Sequence, residues 1–138
     1  MVDSGAGSAA ENARARVCAR CEVDLKAMLR GLDNDIQLAQ KLAELFVESS
    51  PRVLERIRRG LALGDAAEVE RAAHEIKGAL ANFYAACAVS ASAAVESAAQ
   101  NGDLARAARA FVALETETRR LYPLLVALRD AAAGAARS

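Results

Sequence analysis

The segment around His74, the one histidine of the chain, has residue types whose spacing could carry chemistry. Apolar side chains recur at helical spacing from Val69 through Ile76, which predicts a helix with one buried face. His74 stands two residues before Ile76, about 200° round a helix of 3.6 residues per turn, so its ring is predicted to point away from the core. Lys77 and Gly78 follow at three and four residues and share its face.

These three residue types suit phosphoryl transfer. A solvent-facing imidazole is mostly neutral slightly above pH 7, so one ring nitrogen is free to attack phosphorus. A phosphorylated His74 would place negative charge beside Lys77, which can stabilise it as a point charge. Gly78 leaves the ring uncovered, at about 1 kcal/mol of helix propensity relative to alanine. We expect no carboxylate partner that completes a hydrolytic site. The alternative from spacing alone is that His74 is a surface residue without a chemical role.

Composition predicts one all-α domain. The chain has 138 residues, is rich in alanine and has two prolines; its abundant Ala, Leu, Arg and Glu residues favour helices. Eighteen basic and eighteen acidic residues cancel, so no overall positive field would hold nucleic acid. No apolar run approaches a membrane span, and the first ten residues lack the pattern of a signal peptide. We therefore expect a cytoplasmic protein without nucleic-acid or membrane partners.

Caps and breakers predict the helix boundaries. The first helix should end near Gly31, and the second should begin with Asp33 or Asn34 as its N-cap. Ser50-Pro51 is a helix-start signal, so either a third helix begins there or the second helix continues with a kink.

Further along, Gly64-Asp65 should end that helix and begin the His74 helix, with Glu68 completing a capping box. The next helix should span about Ala85 to Gln100, and Pro123 should kink or split the last helix. We predict a disordered tail over residues 1–10, a helical bundle over 11–130 and a frayed tail over 131–138. Short connections imply antiparallel neighbours, so the expected fold is an up-down four-helix bundle with an additional N-terminal helix.

Cys18 and Cys21 have the spacing of a metal-binding or redox pair. A structural zinc needs four ligands, and the chain offers at best these two with Cys87 and His74. We predict no metal site and interpret Cys18 and Cys21 as small hydrophobic residues on a helix face.

The run Ala73-His74-Glu75-Ile76-Lys77-Gly78 resembles the motif of the histidine-containing phosphotransfer (HPt) domain. Flanking segments are also similar to that family: Leu42-Ala43-Glu44-Leu45-Phe46 followed by Pro51, the Gly64-Asp65 turn, Val95-Glu96 and Asn101-Gly102-Asp103. The resemblance extends from about Val23 to Asp130. One position differs, since Tyr84 stands where the family usually has glycine. Glycine there permits a turn with positive φ, so we expect the turn to move to Asn82 or the helix to continue.

The resemblance implies a function and its partners. His74 would be the phosphoacceptor, exchanging a phosphoryl group with an aspartate of a response-regulator receiver domain; Lys77 would assist and Gly78 keep the surface open. A hybrid sensor histidine kinase would act upstream. Magnesium would belong to the receiver, so this chain needs no cofactor. It carries no nucleotide-binding motif and would be a phosphorelay intermediate, not an autonomous kinase. The alternative is a non-phosphorylated adaptor that binds and blocks a receiver or kinase.

Residues near His74 on the exposed face are candidate partner contacts. The candidates on or near the His74 helix are Glu70, Arg71, Glu75, Ala81 and Asn82. In such bundles the partner also rests on a neighbouring helix, where Gln37 and Leu38 are the candidates. The alternative is that these charged faces are only solvated. We expect a monomer more than a dimer, although the apolar first helix could pair with a second copy.

Overall fold

The computed structural model describes residues 25–137, which form five helices and no strand. The helices are α1 (Leu25–Gly31), α2 (Ile36–Leu63), α3 (Ala66–Ala81), α4 (Ala86–Gln100) and α5 (Leu104–Arg137). None of these helices is long and apolar enough to cross a membrane. The predicted tail over residues 1–10 and the predicted beginning of the first helix lie outside the described residues.

Helices α2 to α5 form a closed ring. Each packs against its neighbours in the order α2, α3, α4, α5, and α5 packs back against α2, while the short α1 touches α2. Connections of two to four residues make sequential helices antiparallel. The predicted four-helix bundle with an additional N-terminal helix is therefore confirmed. The largest fully buried side chains fill its interior: Met28, Ile57, Val69, Ile76, Leu80, Phe83, Val95, Leu114 and Leu125.

Short polar turns set the helix ends. The Asp65 carboxylate caps α3 by accepting a hydrogen bond from the Glu68 N–H at 3.1 Å, and Gly64 before it has φ +72°, as the Gly-Asp turn predicts. The second half of the predicted capping box is absent. The Glu68 carboxylate instead binds Arg56 and Arg71, while the Asp65 N–H donates to the Gly60 carbonyl at 2.8 Å.

The N-cap of α2 is Asp35, whose side chain accepts from the Leu38 N–H at 3.0 Å. The prediction of Asp33 or Asn34 was therefore wrong. These two residues have φ values of +56° and +61°, a left-handed conformation that short polar side chains tolerate. They make the turn that brings the chain from α1 into α2, and the cap moves to the next aspartate.

Pro51 does not begin a helix. It lies inside the continuous α2, so the expectation that the helix continues through it is correct and Ser50 is not an N-cap. A proline has no N–H to donate to the carbonyl four residues back, which here is Val47. The Tyr122 hydroxyl of α5 donates to that carbonyl at 2.9 Å. Pro123 does not split α5, which continues to Arg137 through residues that we expected to fray.

The connection from α3 to α4 keeps its turn at Tyr84. Tyr84 has φ +54°, whereas Asn82 remains right-handed with φ −61°, so the predicted shift of the turn was wrong. A tyrosine in this conformation costs about 1–2 kcal/mol. Its neighbour Phe83 is buried and packs edge-on against Phe46 at 5.6 Å, and the Tyr84 hydroxyl lies where a Cβ on Gly31 would come within 2.6 Å. The packing of Phe83 on Phe46 and of the Tyr84 ring beside Gly31 therefore stabilises Tyr84 in its strained conformation.

Of the three cysteines, Cys87 lies within the described residues. Cys87, in the first turn of α4, is disulfide-bonded, which an odd number of cysteines does not predict. Cys18 and Cys21 lie outside the described residues.

Candidate functional site

His74 lies on the outer face of α3. Its neighbours Ala73 and Ile76 are buried, and its own side chain is 70% exposed. The helix positions it as the spacing predicts, because the buried stripe of α3 turns the intervening residue to solvent. The ring is therefore held by a rigid element and open to a partner.

A carboxylate from the neighbouring helix contacts the ring. Glu96 of α4 places Oε2 2.8 Å from His74 Nδ1 and Oε1 2.6 Å from Lys77 Nζ. One carboxylate thus joins two residues that stand one helical turn apart on α3. This contact was not anticipated from the sequence; the expectation there was that no carboxylate completes a hydrolytic site, and that remains a prediction.

Glu96 is ionised in this arrangement. The Lys77 ammonium and, to a smaller extent, the His74 ring lower the pKa of the Glu96 carboxyl, while its partial burial acts in the opposite direction. Only 12% of the Glu96 side chain is exposed, so the charge–charge attraction is screened less than at an open surface. An ionised Glu96 accepts a hydrogen bond, and the neutral ring can supply one from Nδ1. Nε2 would then carry the free lone pair.

Gly78 leaves the surface beside His74 open. A Cβ added there would meet nothing within 4 Å, and its φ is not positive. Neither the backbone conformation nor packing among the described residues therefore requires glycine at this position. Glycine costs about 1 kcal/mol of helix propensity relative to alanine, and no contact among the described residues offsets that cost.

The predicted contact residues on α3 lie around the ring, and most are held by their own partners. Arg71 binds Glu68, Glu75 binds Arg56 at 2.7 Å, and Glu70 accepts from Gln100 at 3.0 Å. Ala81 and Asn82 are exposed at the end of the helix. Glu70, Arg71, His74 and Glu96 line a hollow of about 330 Å³.

Gln37 and Leu38 are far from this group. Leu38 precedes Arg56 by eighteen residues, which is five turns, so it lies on the side of α2 that faces α3, about 27 Å along the axis. Gln37 is rotated by about 100° from that side. Glu70 and Arg71 therefore line the same hollow as His74, whereas Glu75 pairs with α2 and the two α2 candidates are not brought there.

Glu96 is the site residue that sequence reasoning missed. Its contact depends on the register of the antiparallel helices α3 and α4, which also joins Glu70 to Gln100 and which no local sequence pattern gives. The described part of the chain contains no group of three His, Cys, Asp or Glu side chains that could hold a metal ion.

Together these features define a class: a four-helix bundle that presents one histidine, backed by a carboxylate and a lysine, on an uncovered helix face. The family model described as Hpt domain matches residues 41–123, which include His74, Lys77, Gly78 and Glu96. The match covers more than half of the chain, and the protein belongs to the Hpt domain family. Family membership places it in phosphoryl transfer within a phosphorelay, where Hpt domains interact with receiver domains. No curated protein and no solved structure matches the chain significantly.

Proposed function

We propose that the protein is a phosphorelay intermediate that takes a phosphoryl group from an aspartate of one receiver domain onto His74 and gives it to an aspartate of another. The observation that carries the proposal is the hydrogen-bonding distance of 2.8 Å between Glu96 and His74 Nδ1. This contact favours the tautomer with the proton on Nδ1. In the proposed step the nucleophile is therefore Nε2, whose lone pair is then free.

The proposed step needs no base within this chain. The Nε2 lone pair attacks phosphorus, the N–P bond forms, and the bond between phosphorus and the aspartyl oxygen breaks, which returns the carboxylate to the receiver. The Nδ1 proton stays in place, because the negative charge of Glu96 stabilises the positive charge that develops on the ring. The reverse attack by a receiver carboxylate follows the same path.

Lys77 supports this step in two ways. It holds Glu96 at 2.6 Å and keeps it ionised, and an ammonium has further protons to offer an incoming phosphoryl oxygen. Its side chain is 31% exposed, so it can be reached from the partner's side. Magnesium would be supplied by the receiver domain.

The partner surface in this proposal is the α3 face around His74. Gly78 and Ala81 leave it flat, while Glu70, Arg71 and Glu75 give it charges of both signs. A receiver domain that brings its aspartyl phosphate to Nε2 would cover these residues and Asn82. We keep Gln37 and Leu38 only as a distal contact, because their distance from the ring requires a long footprint.

The test is a phosphotransfer assay with the purified protein, a hybrid kinase, ATP and a receiver domain. We expect acid-labile, base-stable label on the wild type and none on His74→Gln, with unchanged helical circular dichroism. Glu48→Gln is the matched control and should keep the label, since Glu48 is an exposed residue of α2 outside the proposed contact surface. Binding of receivers without labelling of the wild type would contradict the proposal and favour the adaptor.

A further inference from the structure

The hollow beside the His74 ring extends toward the beginning of α3. Of its four lining residues, Glu70 and Arg71 precede His74 by about one helical turn, and Glu96 belongs to α4. In an α-helix each Cα–Cβ bond tilts toward the N-terminus, so a side chain covers the turn before its own Cα. A phosphoryl group on the ring would therefore extend toward Arg71, three residues before, and away from Lys77, three residues after.

The present partner of Arg71 does not depend on it. The Arg71 guanidinium is 64% exposed and binds Glu68 at 3.1 Å. Glu68 also binds Arg56 at 2.7 Å, and the hydrogen bond from Arg56 is the main cause of the lowered pKa of the Glu68 carboxyl. Exposed ion pairs one helical turn apart stabilise a protein only weakly. Arg71 can therefore leave Glu68 at little cost, because Glu68 keeps a counter-charge.

The charges of the hollow leave a need for one more cation. Glu70 and Glu96 both line the hollow, and Lys77 offsets the charge of Glu96 from 2.6 Å. A phosphoryl group adds a charge of about −1.5 to −2 near pH 7. Arg71 is the arginine that lines the hollow, so it is placed to offset this added charge.

We propose that Arg71 is a ligand of the phosphoryl group on His74. On phosphorylation the guanidinium leaves Glu68 and donates to two phosphoryl oxygens, for which its planar fork of donors is suited. Glu68 stays paired with Arg56. The inference rests on the proposed phosphorylation of His74. Since the contact exists only in the phosphorylated state, it shifts the exchange equilibrium with a receiver domain toward this chain.

The first test observes the guanidinium without any partner protein. Phosphoramidate is added to the full-length, ¹⁵N-labelled chain; the bond from its phosphorus to nitrogen breaks, the bond to His74 forms and ammonia leaves. We expect the Nε–H signal of Arg71, identified by its loss in Arg71→Gln, to shift on phosphorylation. The signal of Arg109, which is exposed on α5, is the control and should not shift. In His74→Gln the Arg71 signal should also stay in place.

The second test measures the equilibrium distribution of label between this chain and a purified receiver domain. Arg71→Gln should move the equilibrium constant about threefold to fivefold toward the receiver, the size expected of an exposed ion pair. Arg71→Lys should recover part of the change, because it keeps a point charge. Glu70→Gln removes an opposing charge and should move the constant the other way. Arg109→Gln is the matched control and should leave it unchanged.

The equilibrium constant separates this role from a docking role. A residue that only contacts the receiver changes the rate of transfer, but it leaves the equilibrium between the separated proteins as it was. A labelled wild type with an unshifted Arg71 signal, or with the same equilibrium constant as Arg71→Gln, would overturn the role of Arg71 alone. A wild type that takes no label from either donor would overturn this inference together with the proposed function.

Discussion

The Glu96 carboxylate contacts both the Lys77 ammonium and the His74 ring. A free lysine and a free imidazole on a helix surface would each sample several rotamers, whereas a shared carboxylate 2.6 and 2.8 Å away restricts both. The His74 side chain nevertheless stays 70% exposed. At the scale of single residues, the site is an imidazole ring whose Nδ1 contacts Glu96 while most of the side chain remains exposed.

The ionised Glu96 also predicts a pH dependence of stability. Its pKa is lowered in the folded protein from an ordinary value of 4.5, so below about pH 4.5 the unfolded chain binds a proton more readily than the folded one. The stability that Glu96 contributes is therefore complete above this pH and lost as the pH falls through the lowered folded value. We expect Glu96→Gln to reduce the free energy of unfolding by about 1 kcal/mol at pH 7, and the difference to shrink towards pH 3.

Urea unfolding followed by circular dichroism, at intervals from pH 7 to pH 3, measures this difference. The matched control is Glu48→Gln, since Glu48 is exposed and forms no ion pair among the described residues. Its difference from the wild type should stay near zero throughout. A constant Glu96→Gln difference across the range would show that the shared carboxylate is not the cause.

At this scale the sequence predicts the exposure of His74 but not its contact with Glu96. The exposure of His74 follows from helical periodicity within α3, because Ile76 and Val69 fix which side is buried. The contact with Glu96 joins two helices and depends on their register and separation, which no local pattern contains. The motif around His74 could therefore be found, and its carboxylate partner could not.

At the scale of elements, α2 depends on a bond from another helix. Pro51 leaves the Val47 carbonyl without its helical partner, and a buried carbonyl in that state costs about 1–3 kcal/mol. The Tyr122 hydroxyl replaces the missing donor. This contact explains how a helix-start signal can lie inside a helix of 28 residues.

A double-mutant cycle tests this compensation. Tyr122→Phe should lower the free energy of unfolding by about 1 kcal/mol, because it removes the donor to Val47. In a Pro51→Ala background the new N–H can bond to Val47 within the helix, so the same change should cost less than half as much. Urea unfolding of the four proteins gives the coupling.

Tyr84→Phe is the matched control, since it deletes a tyrosine hydroxyl that bonds to no described residue. Its cost should be the same in the wild-type and Pro51→Ala backgrounds. If Tyr122→Phe also costs the same in both backgrounds, the hydroxyl does not compensate for the proline.

The helix ends show which local signals suffice. Gly64-Asp65 was predicted correctly because a glycine with positive φ and an aspartate cap act within a few residues. Tyr84 was predicted to move the turn because tyrosine disfavours positive φ. Packing of Phe83 and Gly31 on either side outweighs that preference, and only the folded chain contains this packing.

At the scale of the whole molecule, the buried face of α4 consists mostly of small residues. The buried residues of α4 are Ala88, Ala91, Ser92, Val95, Ala98 and Ala99. Small side chains let helix axes approach to the lower end of the usual 8–10 Å range. We expect this separation to govern whether the carboxylate of Glu96 reaches the ring on the next helix.

Ala99→Leu tests this dependence. Ala99 is buried and follows Glu96 by three residues on the same side of α4. Overpacking should lower the free energy of unfolding by about 1–3 kcal/mol and separate Glu96 from His74. The ¹⁵N shifts of the imidazole should then change from those of an Nδ1-protonated ring towards those of a free tautomer mixture.

Ser97→Leu is the control, since Ser97 is exposed on the same helix; it should leave both the stability and the imidazole shifts near the wild-type values. An unaltered tautomer in Ala99→Leu, despite the lost stability, would show that helix separation does not govern the contact.

The helices of the bundle differ in length: α3 and α4 have 16 and 15 residues, whereas α2 and α5 have 28 and 34. At 1.5 Å per residue, α5 alone spans about 51 Å, roughly twice the width of two helices side by side. Such a rod tumbles anisotropically, and amide N–H vectors parallel to its long axis relax as if in a heavier particle. A spherical treatment of NMR relaxation or gel filtration would therefore overstate the mass of a single chain, so sedimentation equilibrium, which does not depend on shape, should decide between one copy and two.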